Sequence, residues 1–255
     1  MNGFEISPKM KQINNLLLDN MIGIPYCLSK KGENLIVEVP KNHIDVTISI
    51  LKGTFRDVVD IKKAYLMIDD LHDFIFVKPL VSESPIMTAD GVFLPSPEKQ
   101  IVDLCSDREN TDVCEESLQK EFQRAFEINE INIKRLVRYA GRKGEKDEIQ
   151  NRIERLDKER IRIFGEIRSF CETRPIEKAW VFGSFSRMEE RKDSDIDILV
   201  TFDKTSPIGL MQYSEMIIDL ERLLSRKVDL VQDDSVKPFA RKSIDQNKIL
   251  VYERA

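Results

Sequence analysis

The sequence predicts a two-domain protein of the α+β and α/β kind, with a β-rich N-terminal domain that runs on into helices and a C-terminal domain built as a mixed sheet with flanking helices. Three observations carry this reading. The chain has 255 residues, 41% hydrophobic and 33% charged, which is longer than one average domain and enough to bury two cores. Up to residue 95 the apolar residues come in short β-branched or aromatic runs bounded by Gly, Pro, Asp or Lys. Beyond residue 158 strand-like and helix-like periods alternate, the pattern of an α/β unit.

In chain order, strands are predicted at NLIVEV (34 to 39), VTISIL (46 to 51), AYLMI (64 to 68), FIFVKPL (74 to 80) and GVFLP (91 to 95). A helix then starts at Pro97, with Ser96 before it and Ile101, Leu104 and Cys105 expected on one face. A second helical stretch places Leu118, Phe122, Ala125 and Phe126 at helical spacing, followed by Ile133, Leu136, Val137 and Ala140, with Gly141 and Gly144 closing it. GEKDEIQNRIERLDKE is the least apolar part of the chain, so the boundary is expected within residues 144 to 158, between domains at 1–150 and 158–255. The second domain reads as helix (160 to 172), strand AWVFG (179 to 183), short helix, strand DIDILVTF (195 to 202), helix (209 to 225), strand KVDLV (227 to 231) and a tail ending KILVYER.

Composition narrows the class. A formal net charge of -5 argues against a nucleic-acid coat protein or a membrane-surface binder. Residues 134 to 168 run the other way, with twelve Lys or Arg against seven Asp or Glu, a solvated mixed-charge connector or a docking face for an acidic partner or RNA, so that nucleic-acid contact stays open as a local one. Cys27, Cys105, Cys114 and Cys171 form no C-x-x-C pair, and MNGFEISPKMKQ lacks the apolar stretch of a secretory leader, so reduced thiols and a cytoplasmic location are expected. No run approaches the roughly 18 apolar residues of a membrane span.

The stretch VFGSFSRMEERKDSDIDILVTFD holds the chemistry. Residues i and i+2 of a strand share a face, so Asp195 and Asp197 project together while Ile196, Ile198 and Val200 face the core. Adjacent carboxylates repel and resist desolvation, so a compensating cation is called for, and hard oxygen donors favour magnesium. Gly183 lets backbone approach a ligand, and with Ser184 and the helix start it suits a phosphate, with Arg187 one turn further on. Asp229, alternating with Val228 and Leu230, can complete a metal cage. Each residue also has a bland reading: Asp195 a strand-edge charge, Asp197 a neighbour of Arg187, Gly183 a turn. Trp180 is expected in the core.

GSFSR followed by DSDIDILV and then KVDLV resembles the minimal nucleotidyltransferase (MNT) domain of the DNA polymerase β-like superfamily, over residues 158 to 255. The resemblance implies that Gly183 and Ser184 hold the triphosphate and that Asp195, Asp197 and Asp229 bind magnesium. It implies AMP transfer from ATP to a hydroxyl of a partner, a HEPN-type toxin on a separate chain, with this chain as the antitoxin. No R-x-x-x-x-H sequence of the HEPN kind surrounds His43 or His72. The run from FIFVKPL to LVRYAGRKG is similar to the non-DNA-binding part of AbiEi-type antitoxin proteins. Two other readings stay open: an inactive antitoxin acting by occlusion, and AMP transfer to a small molecule such as an aminoglycoside.

Overall fold

The computed structural model of the chain describes residues 6–64, 72–106, 114–191 and 194–254. It divides into two compact units, one running through Ala125 and taking in Ile131–Leu156, the other comprising Phe126–Glu130 and the chain from Asp157 onward. Among the described residues no helix is long and apolar enough to cross a membrane.

The first unit contains a four-stranded mixed sheet. β1 (Cys27–Lys31) is antiparallel to β2 (Asn34–Val39), which runs parallel to β4 (Ile75–Pro79), and β4 runs parallel to β3 (Val58–Asp60). β5 (Ile86–Ala89) and β6 (Val92–Pro95) form a separate hairpin. The predicted strands at 34 to 39, 74 to 80 and 91 to 95 correspond to β2, β4 and β6, whereas AYLMI falls almost entirely outside the described residues. VTISIL is a correction: it lies within helix α2 (Ile44–Lys52). Its β-branched content suggests a strand, but Ile44, Thr47 and Leu51 are buried at spacings of three and four, which only a helix presents on one face. Helix α1 (Pro8–Asn20), capped by the Ser7 side chain accepting from the Met10 amide, was not anticipated.

Helix α3 (Ile61–Ala64) follows β3, and α4 (Pro97–Ser106) begins at the predicted proline. Ile101 and Cys105 are buried as expected, but Val102 takes the core position assigned to Leu104, which is 40% exposed. In α5 (Glu115–Ile128) all four of Leu118, Phe122, Ala125 and Phe126 are buried. In α6 (Ile133–Lys143) the buried set is Leu136, Tyr139 and Ala140 and Ile133 faces solvent, with left-handed Gly144 as the cap. α7 (Lys146–Glu154) occupies the polar stretch.

The second unit is a four-stranded sheet in the order β10-β7-β8-β9, formed by β7 (Ile176–Phe182), β8 (Ile196–Phe202), β9 (Val228–Gln232) and β10 (Ile249–Glu253). β7 is antiparallel to both β8 and β10, and β8 runs parallel to β9. Helices α8 (Lys158–Glu172) and α10 (Leu210–Leu224) cover one face. Their Ile163, Phe164, Ile167, Met216 and Leu220 pack on Val181, Ile196, Ile198, Val200 and Leu230 of the sheet. The predicted tail is helix α11 (Pro238–Asn247) followed by edge strand β10.

Candidate active site

Burial of Ile196, Ile198 and Val200 turns the alternate residues of β8 away from the helices, as the strand period requires. Asp197 therefore stands half-buried on the opposite face, which it shares with the buried Leu199, and Asp195 is exposed just ahead of the strand. In the parallel pairing Asp197 lies opposite Asp229 of β9, which is also exposed. Burial, then Asp229, then Asp195 push the Asp197 carboxyl up to about 6, an effect that Arg187 opposes.

The chain leaves β7 at Phe182 and enters the short helix α9 (Gly183–Arg187) through a left-handed step, Gly183 having φ +70°. A Cβ at this position would lie 1.9 Å from Asp197 Oδ2 and 2.8 Å from its Cγ, so the turn presses directly on that carboxylate. Glycine is required here for conformation and for space. Ser184 is half-buried next to it, and Arg187 is exposed with its Nε 2.7 Å from Glu189. A helix of five residues carries little macrodipole, so anion binding here falls to the backbone amides, the Ser184 hydroxyl and nearby cations. Phe185, 1% exposed, anchors the turn in the core.

The structure thus brings Asp195, Asp197, Asp229, Gly183, Ser184 and Arg187 to one region of one sheet. Among the described residues no three acidic, His or Cys side chains are gathered tightly enough to hold a metal ion as they stand. The donor set nonetheless fits a hard divalent cation: three carboxylates close enough to raise the pKa of the central one, an effect that Arg187 only partly offsets. Trp180, expected in the core, is half-buried with Lys248 Nζ 4.9 Å from its ring centroid.

The sequence reading missed the residues that hold α9. Arg160 of α8 donates to the Phe185 carbonyl at 2.9 Å, and the Phe185 ring lies 5.0 Å from the Arg160 guanidinium and 5.5 Å from that of Arg226. Charge and long sequence separation hide such contacts from periodicity. A cavity of about 800 Å³ opens at the far ends of β8 and β9, lined by Phe202, Ile208, Tyr213 and Gln232 among others. Its Asp203 and Asp233 are paired, with Arg254 at 3.1 Å and Arg241 at 2.7 Å, whereas at the other end of the strands Asp197 faces Asp229 and Asp195.

Antiparallel β7 and β8, parallel β9, the Gly-Ser turn and the three aspartates define a nucleotidyltransferase domain of the polymerase β type. The chain belongs to the family described as "Family of unknown function (DUF6577)", which matches residues 6–159, and its C-terminal part to "Polymerase beta, Nucleotidyltransferase", which matches residues 165–255. It is similar to a Methanocaldococcus jannaschii protein named "Putative protein adenylyltransferase MJ1379", 42% identical over 72 residues that make up 28% of this chain and 72% of that protein. It is also similar to "Protein adenylyltransferase MntA" of Thermococcus cleftensis, 39% identical over 71 residues, 28% of this chain and 70% of that one. Among solved structures, a "putative minimal nucleotidyltransferase" aligns with a TM-score of 0.31 at 32% identity over 35% of this chain and 89% of its own. A toxin-antitoxin crystal structure with AMP-PNP aligns with a TM-score of 0.32 at 20% identity over 36% of this chain and 73% of its own.

Proposed function

We propose that the chain is a magnesium-dependent adenylyltransferase that moves AMP from ATP to a hydroxyl of a partner protein, as the antitoxin of a toxin-antitoxin pair. The observation that carries the chemistry is the pairing of Asp197 with Asp229 in register beneath the Gly183 turn. The acceptor class follows the relatives, which are named protein adenylyltransferases. The toxin partner follows the resemblance of GSFSR, DSDIDILV and KVDLV to MNT antitoxins. On this reading residues 158–255 are the catalytic domain and residues 1–150 an antitoxin-type domain.

Gly183 and Ser184 hold the triphosphate, with Arg187 at its edge. Asp195, Asp197 and Asp229 hold the metal, which when bound supplies countercharge for the phosphates and acidifies the attacking hydroxyl. The acceptor oxygen attacks the α-phosphorus, the bond to the β-phosphate bridging oxygen breaks, and pyrophosphate leaves. Asp229, exposed on β9, helps to take the acceptor proton.

Incubation of the full chain with magnesium, ATP labelled at the α-phosphate and the protein encoded beside it should label that protein. Wild-type chain that transfers no label, or an Asp195→Ala, Asp197→Ala double variant that transfers as much, overturns the proposal. Protection from the toxin by the folded double variant would instead support neutralisation by occlusion.

A further inference from the structure

The nucleotidyltransferase match starts at residue 165, yet the compact unit that carries the site also includes residues 126–130 and 157–164. We infer that Arg160, clamped by Glu127 and Glu190, is a positioning residue for the Gly183–Arg187 turn, so that residues outside the matched catalytic region hold the ATP site in shape. The inference rests on the adenylyltransferase reading above.

Arg160 is 5% exposed and spends its guanidinium in three directions. Nε and Nη2 donate to the two carboxylate oxygens of Glu127 at 2.6 and 3.2 Å, Nη1 donates to the Glu190 carboxylate, and Nη2 also donates to the Phe185 carbonyl at 2.9 Å. Its charge also lies over the Phe185 ring, which Arg226 approaches as well. Arg226 in turn donates to the Arg191 carbonyl at 3.3 Å and pairs with Glu159 at 3.2 Å, so the chain just beyond α9 is tied to the start of α8 too.

This grip matters because α9 cannot hold itself. Five residues make too few internal hydrogen bonds to be stable alone, so the position of the turn is decided by what grips it. Gly183 and Ser184 directly precede Phe185, and Gly183 has no free space against Asp197. Any slackening at Phe185 is therefore transmitted to the residues assigned to the triphosphate and to the central carboxylate.

Glu127 is the member that sequence matching assigns elsewhere, since it falls within residues 6–159. Its side chain is 0% exposed, its carbonyl accepts from Arg168 at 3.1 Å, and its neighbour Ile128 packs on the core of the second unit. A planar guanidinium spans these separate acceptors, and an ammonium of equal charge cannot. Arg160→Lys therefore removes the geometry while keeping the charge that the buried Glu127 and the partly buried Glu190 need. Glu127→Gln keeps the shape and weakens the clamp.

The test uses the full chain as wild type, Arg160→Lys, Glu127→Gln and, as a control on the exposed side of the same helix, Arg162→Lys. Amide hydrogen exchange without nucleotide is read across residues 176–202, and ATP affinity with magnesium is read by calorimetry. In Arg160→Lys, amides 183–187 should exchange about tenfold faster or more while β7 and β8 keep their protection, and the Kd for ATP should rise about tenfold. Glu127→Gln should shift both in the same direction by less, and Arg162→Lys should shift neither. Wild-type exchange and affinity in a folded Arg160→Lys overturn the inference alone. So does a uniform loss of protection through β7 and β8, which would mark Arg160 as merely structural. A wild-type chain that takes up no ATP with magnesium overturns the adenylyltransferase reading and the inference with it.

Discussion

Gly183 and Asp197 are in contact across the mouth of the site: a Cβ on the glycine would stand 1.9 Å from the Asp197 Oδ2. The carboxylate end can swing aside, so Gly183→Ala should not unfold the protein. With φ +70° the substitution should cost roughly 1–2 kcal/mol of stability from the left-handed backbone. Displacing Asp197 should cost far more in function, about a hundredfold in AMP transfer, because a misplacement of about 1 Å is enough for that. A thermal melt and a labelled-ATP assay on one preparation separate the two effects. Transfer within threefold of wild type would mean that the close approach has no catalytic consequence.

Asp197 should also make the metal-free protein pH-sensitive. Burial and the neighbouring Asp229 and Asp195 raise its carboxyl from 3.8 to about 6 in the folded state. The folded protein thus keeps a proton that the unfolded chain gives up. The stabilisation is complete below the unfolded value and is lost as pH rises through the folded one, between about pH 4 and 6. Because the group is only half-buried, solvent screening reduces the loss to on the order of 1 kcal/mol. Denaturant melts in chelator at pH 4.5 and 6.5 should show it as a difference between wild type and Asp197→Asn. Parallel curves for the two proteins would contradict it.

Metal and nucleotide should reverse that penalty. Magnesium with ATP at about a hundredfold over its dissociation constant should stabilise the wild type by roughly 2–3 kcal/mol. Asp197→Asn removes charge while keeping shape, so its ligand-free form should melt at the same temperature or higher and lose most of the ligand-induced rise. A variant that melts lower but keeps the full rise would place Asp197 in the fold and the metal elsewhere.

The candidate site was legible because its signals are local. The alternation of Asp195 and Asp197 with Ile196 and Ile198 reports the strand face directly, and Gly183 marks the turn. Asp229 was legible for the same reason, since Val228 and Leu230 flank it, and the register with Asp197 follows once β8 and β9 run parallel. What stayed hidden depends on partners distant in sequence. Arg160 and Glu127 are 33 residues apart; one looks like a charge among many in the mixed-charge connector, the other like a polar position of the helix before it. In residues 46 to 51 β-branched composition outweighed the helical spacing of Ile44, Thr47 and Leu51, and tertiary burial decided for the helix. The edge strand β10 hid in a tail that contributes Ile249 and Val251 to the core.

Lys99 shows the same blindness and yields a further test. It is 2% exposed in α4, with Nζ 2.7 Å from Glu38 of β2, 2.5 Å from Asp103 and 3.2 Å from the Tyr139 hydroxyl. Burial alone would lower its pKa, but Asp103 and Glu38 outweigh burial and hold it above the ordinary lysine range. Lys99→Met keeps the length of the side chain and leaves Glu38 and Asp103 each short of a partner. Lys78, 2.9 Å from Glu38, and Lys143, 3.3 Å from Asp103, still offset part of their charge. The loss should therefore fall near the lower end for a broken buried pair, about 3 kcal/mol. Since the folded pKa is raised, the difference between wild type and variant should stay flat through neutral pH and shrink only as pH rises above the ordinary lysine value of about 10.4. Urea melts at pH 7 and pH 10.5 measure both numbers. Equal stability of the two proteins at pH 7 would mean that the apolar side chain replaces the ion pairs without loss, and that this cluster does not hold the first unit together.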